Sequence, residues 1–264
     1  MRSARLRKAF AAAWLAGLLL AAGPAGRAQE AAPSVASLEV QTGGHGEPEL
    51  IFLPDLGGAG KAWEHVVARF EAGYRCHVVV PAGFGGGRAG VQTGRFLDET
   101  ARAVVAYVRE QGLRRPVLVG QGLGGVLALE VALQDPNLPG RLVLVDSLPF
   151  PAGGKRGTDE DAAPSGQARE VADEAARSDP ATLRQAAAEL LATDLRAALR
   201  RVRCPTLVLG ALAGPGAAPR QVYRRQYRGL PGVRFAFFGA ARPPLMVDNL
   251  DGFTDALRRE LTPR

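Results

Sequence analysis

The segment PVLVGQGLGGVLALEVAL, Pro116 to Leu133, has the most informative pattern in the chain. It begins with a short, mostly β-branched run. Four glycines follow within six positions, and the apolar residues after them include a single charge, Glu130. Because glycine permits sharp backbone turns, this pattern predicts a buried strand that turns directly into a buried helix. Two kinds of site use such a turn: the nucleophile elbow, G-x-S-x-G, and the dinucleotide-binding loop, G-x-G-x-x-G.

The glycines of this turn match the dinucleotide-binding loop more literally than the elbow. Gly120, Gly122 and Gly125 have the spacing of that loop. Asp146 ends the next predicted strand, where an acid that binds a ribose is expected. The elbow pattern fails at Gly122, which stands where the nucleophilic serine should be. The local sequence therefore leaves both hypotheses open.

The first 28 residues have the composition of a secretory signal peptide. Basic residues come first, an apolar core follows over Ala9 to Ala22, and Gly26-Arg27-Ala28 is a small-x-small cleavage signal. The apolar core is shorter than the roughly 20 residues of a transmembrane helix. We therefore predict export to the periplasm or the medium, with residues 29–264 as one domain and no stable membrane anchor after cleavage.

Charge and composition exclude several classes of partner. The formal net charge is +7, but the predicted signal peptide contains five basic residues and no acidic ones, so the mature chain would carry about +2. The other basic residues are scattered and do not alternate with aromatic ones, which argues against a nucleic-acid partner. The three histidines are not clustered with Asp, Glu or Cys, so we predict no metal site and no cofactor.

Strand patterns and helix patterns alternate through the rest of the chain. Such alternation predicts a parallel sheet with helices on both faces and a ligand site at the carboxyl ends of the strands. Residues from about 150 to 200 differ: a Gly/Pro-rich stretch precedes Ala/Arg-rich helices, one of which should begin at Asp179-Pro180, and we expect a small helical lid there. The predicted strands are 34–41, 49–53, 76–80, 117–119, 142–145, 206–209 and 233–238, and the predicted helices outside the lid, besides the one after the turn, are 62–70, 97–111, 220–228 and 251–261.

Five motifs occur in the order that is typical of the α/β-hydrolase family. The first resembles the loop whose backbone amide helps to form the oxyanion hole, the second resembles the elbow V-G-H-S-L-G-G, the third resembles the strand that leads into the lid, and the last two resemble the remaining functional loops. In order, they are IFLPDLGGAGKAW, PVLVGQGLGGVLALEVA, LVLVDSLPF, CPTLVLGA and ARPPLMVDNLDGF. The chain thus resembles exported bacterial members of this family over residues 49–261, and the resemblance implies an α/β-hydrolase fold.

The resemblance breaks at the positions that carry the family's chemistry. Gly122 replaces the nucleophilic serine, Gln121 replaces the histidine before it, and Pro243 stands where the base histidine is expected. The loop after strand 206–209, where the acid of the triad often lies, contains no Asp or Glu. Asp146 is therefore the remaining candidate for that acid. Because serine attacks a carbonyl only when a histidine accepts its proton, the resemblance implies a degenerate catalytic triad.

Other parts of the family's site are retained. The resemblance implies that the backbone amides of Leu56 and Leu123 face each other as an oxyanion hole without a nucleophile, beside Gly57 and Ser147. Such a hole attracts a carboxylate or a carbonyl oxygen. We therefore expect a non-catalytic pseudo-hydrolase that binds a small acyl or carboxylate ligand or a protein partner. The N-myc downstream-regulated proteins are similar in having this fold with a serine-less elbow.

Two alternatives remain beside that expectation. The first is a hydrolase of the carboxylic ester type with a relocated or atypical active site, for which Ser147 is a candidate nucleophile. The second is a dinucleotide-binding protein that uses Gly120, Gly122 and Gly125. The position of this loop in the third strand-helix unit argues against the second alternative, as do the hydrolase-like motifs downstream of it.

The two cysteines are expected to be free. The strand order that the resemblance implies separates Cys76 from Cys204 by about four strand spacings, or roughly 19 Å. A disulfide needs α-carbons within about 7 Å of each other. We therefore predict two buried thiols.

Overall fold

The described residues form a sheet of seven strands. The computed structural model describes residues 38–87, 95–154, 166–214 and 216–262. Within these ranges the strands are β1 Leu38–Gly43, β2 Leu50–Leu53, β3 Cys76–Pro81, β4 Val117–Gln121, β5 Arg141–Val145, β6 Thr206–Ala211 and β7 Arg234–Phe238. Their spatial order is β1-β3-β2-β4-β5-β6-β7. β1 pairs antiparallel with β3, and every other pair is parallel.

The described helices lie on both faces of this sheet. They are α1 Glu64–Phe70, α2 Phe96–Glu110, α3 Leu123–Gln134, α4 Gly166–Ala176, α5 Pro180–Ala192, α6 Arg220–Gln226, α7 Leu245–Asp248 and α8 Leu250–Leu261. α3 packs on β4, β5 and β2 and against α2, while α1 packs against α8. The predicted fold class, a mostly parallel α/β sheet covered by helices, is confirmed.

The central strands form the core because they are covered on both sides. Every residue of β2, β3, β4 and β6 is buried, as expected of parallel strands between two helical layers. Trp63, just before α1, packs its ring against Phe52 of β2 with centroids 5.0 Å apart. The next aromatic ring is Phe253 of α8, at 6.0 Å. This core holds the carboxyl ends of β2, β4 and β5 at fixed positions.

Most element boundaries agree with the sequence pattern within a few residues. The helix expected at Asp179-Pro180 begins there, and the Asp179 carboxylate accepts a hydrogen bond from the Thr182 amide at 2.7 Å. α7 was not predicted. Residues 34–37 of the predicted first strand, the predicted signal peptide and lid residues 155–165 lie outside the described residues. In the part of the chain that is described, no helix has both the length and the apolar character of a membrane span.

The strand order places the cysteines far apart. Cys76 begins β3 and Cys204 precedes β6, with β2, β4 and β5 between those strands. Both thiols are free and buried, which confirms the prediction. Burial raises the pKa of Cys76 to about 12 and that of Cys204 to about 11, so both stay protonated at neutral pH.

Candidate functional site

The predicted turn between a strand and a helix lies at Gly122, between β4 and α3. Gly122 has φ +51° and ψ −115°, a conformation that glycine adopts without the steric penalty of a side chain. Its amide donates to the Val145 carbonyl at 3.0 Å. Its own carbonyl accepts the Ser147 hydroxyl at 2.8 Å. The end of β5 therefore holds the turn in place from both sides.

Neighbouring protein atoms fill the space around the glycines of this turn. A β-carbon at Gly120 would lie 2.2 Å from the Gly124 carbonyl oxygen, and one at Gly125 would lie 2.5 Å from the Ser147 hydroxyl oxygen. Strand-helix packing thus accounts for both glycines, and neither faces space for a pyrophosphate. The Asp55 carboxylate beside Gly122 argues against the dinucleotide-binding hypothesis, because a pyrophosphate that approached this glycine would meet a negative charge.

Asp55 fills the expected oxyanion hole. It lies two residues beyond β2, and its Oδ1 accepts hydrogen bonds from the backbone amides of Leu56 and Leu123, each at 2.8 Å. These are the two amides that the sequence motifs predict. They converge on one oxygen, and that oxygen belongs to the chain's own carboxylate. Two N–H groups on one anionic oxygen, one of them at the N-terminus of α3, form the arrangement that stabilises an oxyanion.

The same carboxylate also occupies the space of a nucleophile. A β-carbon at Gly122 would lie 2.1 Å from Asp55 Oδ1 and 2.4 Å from Oδ2. A serine side chain therefore cannot stand at this position unless Asp55 moves. The expectation of an open hole that attracts an external carboxylate is corrected here, because both amides already have an anionic acceptor.

Asp146, the remaining acid candidate, is bound by backbone amides. It follows β5 with φ +48°. Its Oδ1 accepts a hydrogen bond from the Ala211 amide, and its Oδ2 accepts one from the Leu245 amide, both at 2.8 Å. Burial raises the pKa of Asp146 to about 6; these two hydrogen bonds oppose the increase and the nearby charge of Asp55 adds to it. Asp146 thus connects β5, β6 and α7 at the edge where Asp55 lies.

The other predicted site residues do not supply the nucleophile or the base of a serine hydrolase. Pro243 lines the pocket but has no basic atom. Ser147 is 1% exposed and donates its hydroxyl hydrogen to the Gly122 carbonyl, which argues against a role as a relocated nucleophile. No histidine occurs among the described residues that line the pocket. In the described ranges, no three His, Cys, Asp or Glu side chains are grouped as a metal site.

A small pocket opens beside the elbow. Its volume is about 140 Å³, and it combines polar groups with apolar side chains. Two of its polar residues, Asp55 and Tyr223, were not predicted as site residues. The described residues that line it are Asp55, Gln121, Gly122, Leu123, Asp146, Ser147, Leu148, Pro151, Gly154, Leu190, Gly216, Ala218, Tyr223 and Pro243.

The lid is fixed to the loop that carries Asp55. The Glu174 carboxylate of α4 accepts the Ala59 amide at 2.7 Å. The Ser178 hydroxyl donates to the Gly57 carbonyl at 2.9 Å. Gly57 therefore lies beneath the lid, and, like Leu56, it is not among the described residues that line the pocket. These bonds help to hold Asp55 in the hole.

Comparison with known proteins identifies the family. A family model described as the alpha/beta hydrolase fold matches residues 48–226, and the chain belongs to this family. The hydrolase from Oleispira antarctica superposes with a TM-score of 0.75 at 15% identity, over 87% of this chain and 96% of that one. An esterase from Exiguobacterium antarcticum gives 0.75 at 19% identity, over 85% and 95% of the two chains.

Relatives of known name match a shorter stretch. The pimeloyl-(acyl-carrier protein) methyl ester esterase of Pectobacterium carotovorum is 32% identical over 115 residues, 44% of this chain and 43% of the relative. The protein of the same name from Vibrio vulnificus is 34% identical over 112 residues, 42% and 41% of the two chains. The chain thus matches less than half the length of these relatives.

Proposed function

We propose that this chain is a non-catalytic α/β-hydrolase-fold protein, a pseudo-hydrolase that binds a small ligand or a protein partner. The observation that carries the proposal is the position of Asp55, whose carboxylate fills both the oxyanion hole and the space of a serine at position 122. The composition of residues 1–28 supports a place of action in the periplasm or outside the cell.

Acyl transfer by this family's chemistry needs a nucleophile, a base and an empty oxyanion hole. Gly122 has no side chain, and Pro243 cannot accept a proton. A substrate carbonyl that approached Leu123 would meet the negative charge of Asp55 instead of two N–H donors. The site around Gly122 therefore meets none of these three requirements.

A hydrolase with an atypical active site is the second candidate, and the names of the relatives favour it over the first. One feature of the pocket also supports it. Asp55 and Asp146 line the same cavity, and burial raises the pKa of Asp146 to about 6. A carboxyl group that titrates near neutral pH beside a second carboxylate is a known arrangement for acid-base catalysis.

Ester hydrolysis separates the two candidates. For the purified chain acting on p-nitrophenyl acetate and butyrate between pH 5 and 8, we expect the rates to equal those of its Asp55→Asn and Asp146→Asn variants. We also expect no covalent adduct with a fluorophosphonate, detected by intact-mass spectrometry. Ser147→Ala tests the candidate nucleophile in the same assay, and Tyr74→Phe, which lies away from the pocket, is the control. Turnover that falls tenfold or more in either Asp variant or in Ser147→Ala, but not in Tyr74→Phe, would establish the atypical hydrolase instead.

A further inference from the structure

Two buried polar side chains in the pocket have no hydrogen-bond partner within the described residues. They are Gln121, at the end of β4, and Tyr223, on α6. Gln121 is 4% exposed and Tyr223 is 2% exposed. Neither the Gln121 amide nor the Tyr223 hydroxyl is among the fully enclosed polar atoms without a partner, so both contact open space. Since buried polar groups are ordinarily paired, both are available to a ligand.

The Tyr223 ring is held rigidly in this position. It packs against Phe237 of β7 with centroids 5.6 Å apart. A β-carbon at Gly210 of β6 would lie 3.0 Å from the Tyr223 ring, so the glycine makes room for it. One turn further along the chain, the Tyr227 hydroxyl donates to the Ser147 carbonyl at 2.9 Å and fixes the end of α6. The hydroxyl of Tyr223 is thus preorganised at the pocket wall.

The electrostatics of the pocket select the ligand class. Burial raises the pKa of Tyr223, and the charge of Asp146 raises it further, so the phenol stays protonated. Asp55 and Asp146 place carboxylates in the wall, and no Lys, Arg or His is among the described lining residues. Because the amides of Leu56 and Leu123 are already bound to Asp55, an acyl or carboxylate oxygen gains nothing there and is repelled.

We propose that this pocket binds a small uncharged or cationic molecule that presents hydroxyl or amine donors to Gln121 and Tyr223, and that it rejects carboxylates. The inference rests on the proposed non-catalytic function and names the ligand class of the same site. A cavity of about 140 Å³ is close to the roughly 150 Å³ that holds benzene, which sets a ligand of about six non-hydrogen atoms. Leu148, Leu190 and Pro151 supply the apolar contacts.

Three probes of equal size test this inference: 1-amino-2-propanol, 1,2-propanediol and propionate. We expect backbone NMR signals of Gln121 to Leu123 to shift saturably with the amino alcohol and the diol, with dissociation constants on the order of millimolar for ligands this small. Propionate should bind at least about tenfold more weakly. If 1-amino-2-propanol binds more tightly than 1,2-propanediol, the recognised group is an ammonium group. If the two bind equally, the recognised group is the hydroxyl that they share.

Substitutions assign the binding to the proposed residues. Tyr223→Phe should weaken the binding of 1-amino-2-propanol and 1,2-propanediol about tenfold, because it removes one hydrogen bond from a buried site. Gln121→Met preserves the side-chain shape and should have a similar effect, so it serves if Tyr223→Phe does not fold. Tyr74→Phe is the matched control. Tyr74 contacts Phe70 and is not a lining residue, and its loss should change nothing.

The result that overturns the inference is separate from the one that overturns the proposed function. Propionate binding as tightly as the other probes would overturn the inference, as would unchanged affinity in both Tyr223→Phe and Gln121→Met. Ester hydrolysis by the wild-type chain would overturn the proposed function, whatever the binding curves show. Absence of both binding and hydrolysis would overturn the inference and leave the proposed function standing.

Discussion

Gly122→Ser is expected to lower the free energy of unfolding by about 3 kcal/mol, the sum of two costs. The turn has φ +51°, which strains any L side chain. The serine β-carbon would also meet Asp55 Oδ1 at 2.1 Å. Asp55 must then leave the hole, and the amides of Leu56 and Leu123 lose their acceptor. Urea denaturation followed by circular dichroism measures the loss.

A double-mutant cycle separates the strain from the clash. In an Asp55→Gly background the carboxylate is gone, so Gly122→Ser should cost at least about 1 kcal/mol less than it does in the wild type. Gly122→Ala in both backgrounds is the matched control, since it introduces the β-carbon without the hydroxyl. Costs for Gly122→Ser that are equal in the two backgrounds would show that Asp55 does not occupy the space beside Gly122.

The second large effect is a gain of activity. The triple variant Asp55→Gly, Gly122→Ser and Pro243→His empties the hole and supplies a nucleophile and a base. The Leu245 amide donates to Asp146 Oδ2, so this acid already lies near the segment that would carry the new histidine. A general base and an oxyanion hole each contribute about 10²-fold or more, so we expect p-nitrophenyl acetate hydrolysis at least about 10²-fold above the wild type.

Two control variants show which residues the gain of hydrolytic activity requires. The double variant without Pro243→His has the hole and the serine but no base, and it should remain near the wild-type rate. Adding Asp146→Asn to the triple variant should remove most of the gain, because the histidine loses its orienting acid. A folded triple variant that hydrolyses no faster than the double variant would show that the missing residues do not explain the predicted inactivity.

Much of the fold could be predicted from the sequence because its signals are local. The strands β2 to β6 are apolar runs, the turn at Gly122 is marked by glycines, and Asp179-Pro180 marks the start of α5. The antiparallel direction of β1 was not predicted, since an isolated strand pattern does not give its partner. α7 was missed because it has only four residues and begins where the Leu245 amide bonds to Asp146.

The candidate site was only partly predictable. Motif positions gave Gly122, Pro243 and the two amides of the hole. They did not reveal that Asp55 fills the hole, because its bond to Leu123 joins residues 68 positions apart. A signal was present nonetheless: Asp55 is an acidic residue just after a buried strand, inside the glycine loop that resembles the oxyanion loop. Tyr223 gave no such signal, since its helix meets the pocket only through the tertiary fold.

Hydrogen-bond scalar coupling tests the position of Asp55 most directly. In the ¹⁵N,¹³C-labelled protein, the amide nitrogens of Leu56 and Leu123 should both show a coupling across the hydrogen bond to the side-chain carboxylate carbon of Asp55. Both should disappear in Asp55→Gly. If neither coupling is present in the folded wild type and both amides exchange with water as rapidly as exposed ones, the hole is open. That result would contradict the position of Asp55 on which the proposed non-catalytic function rests.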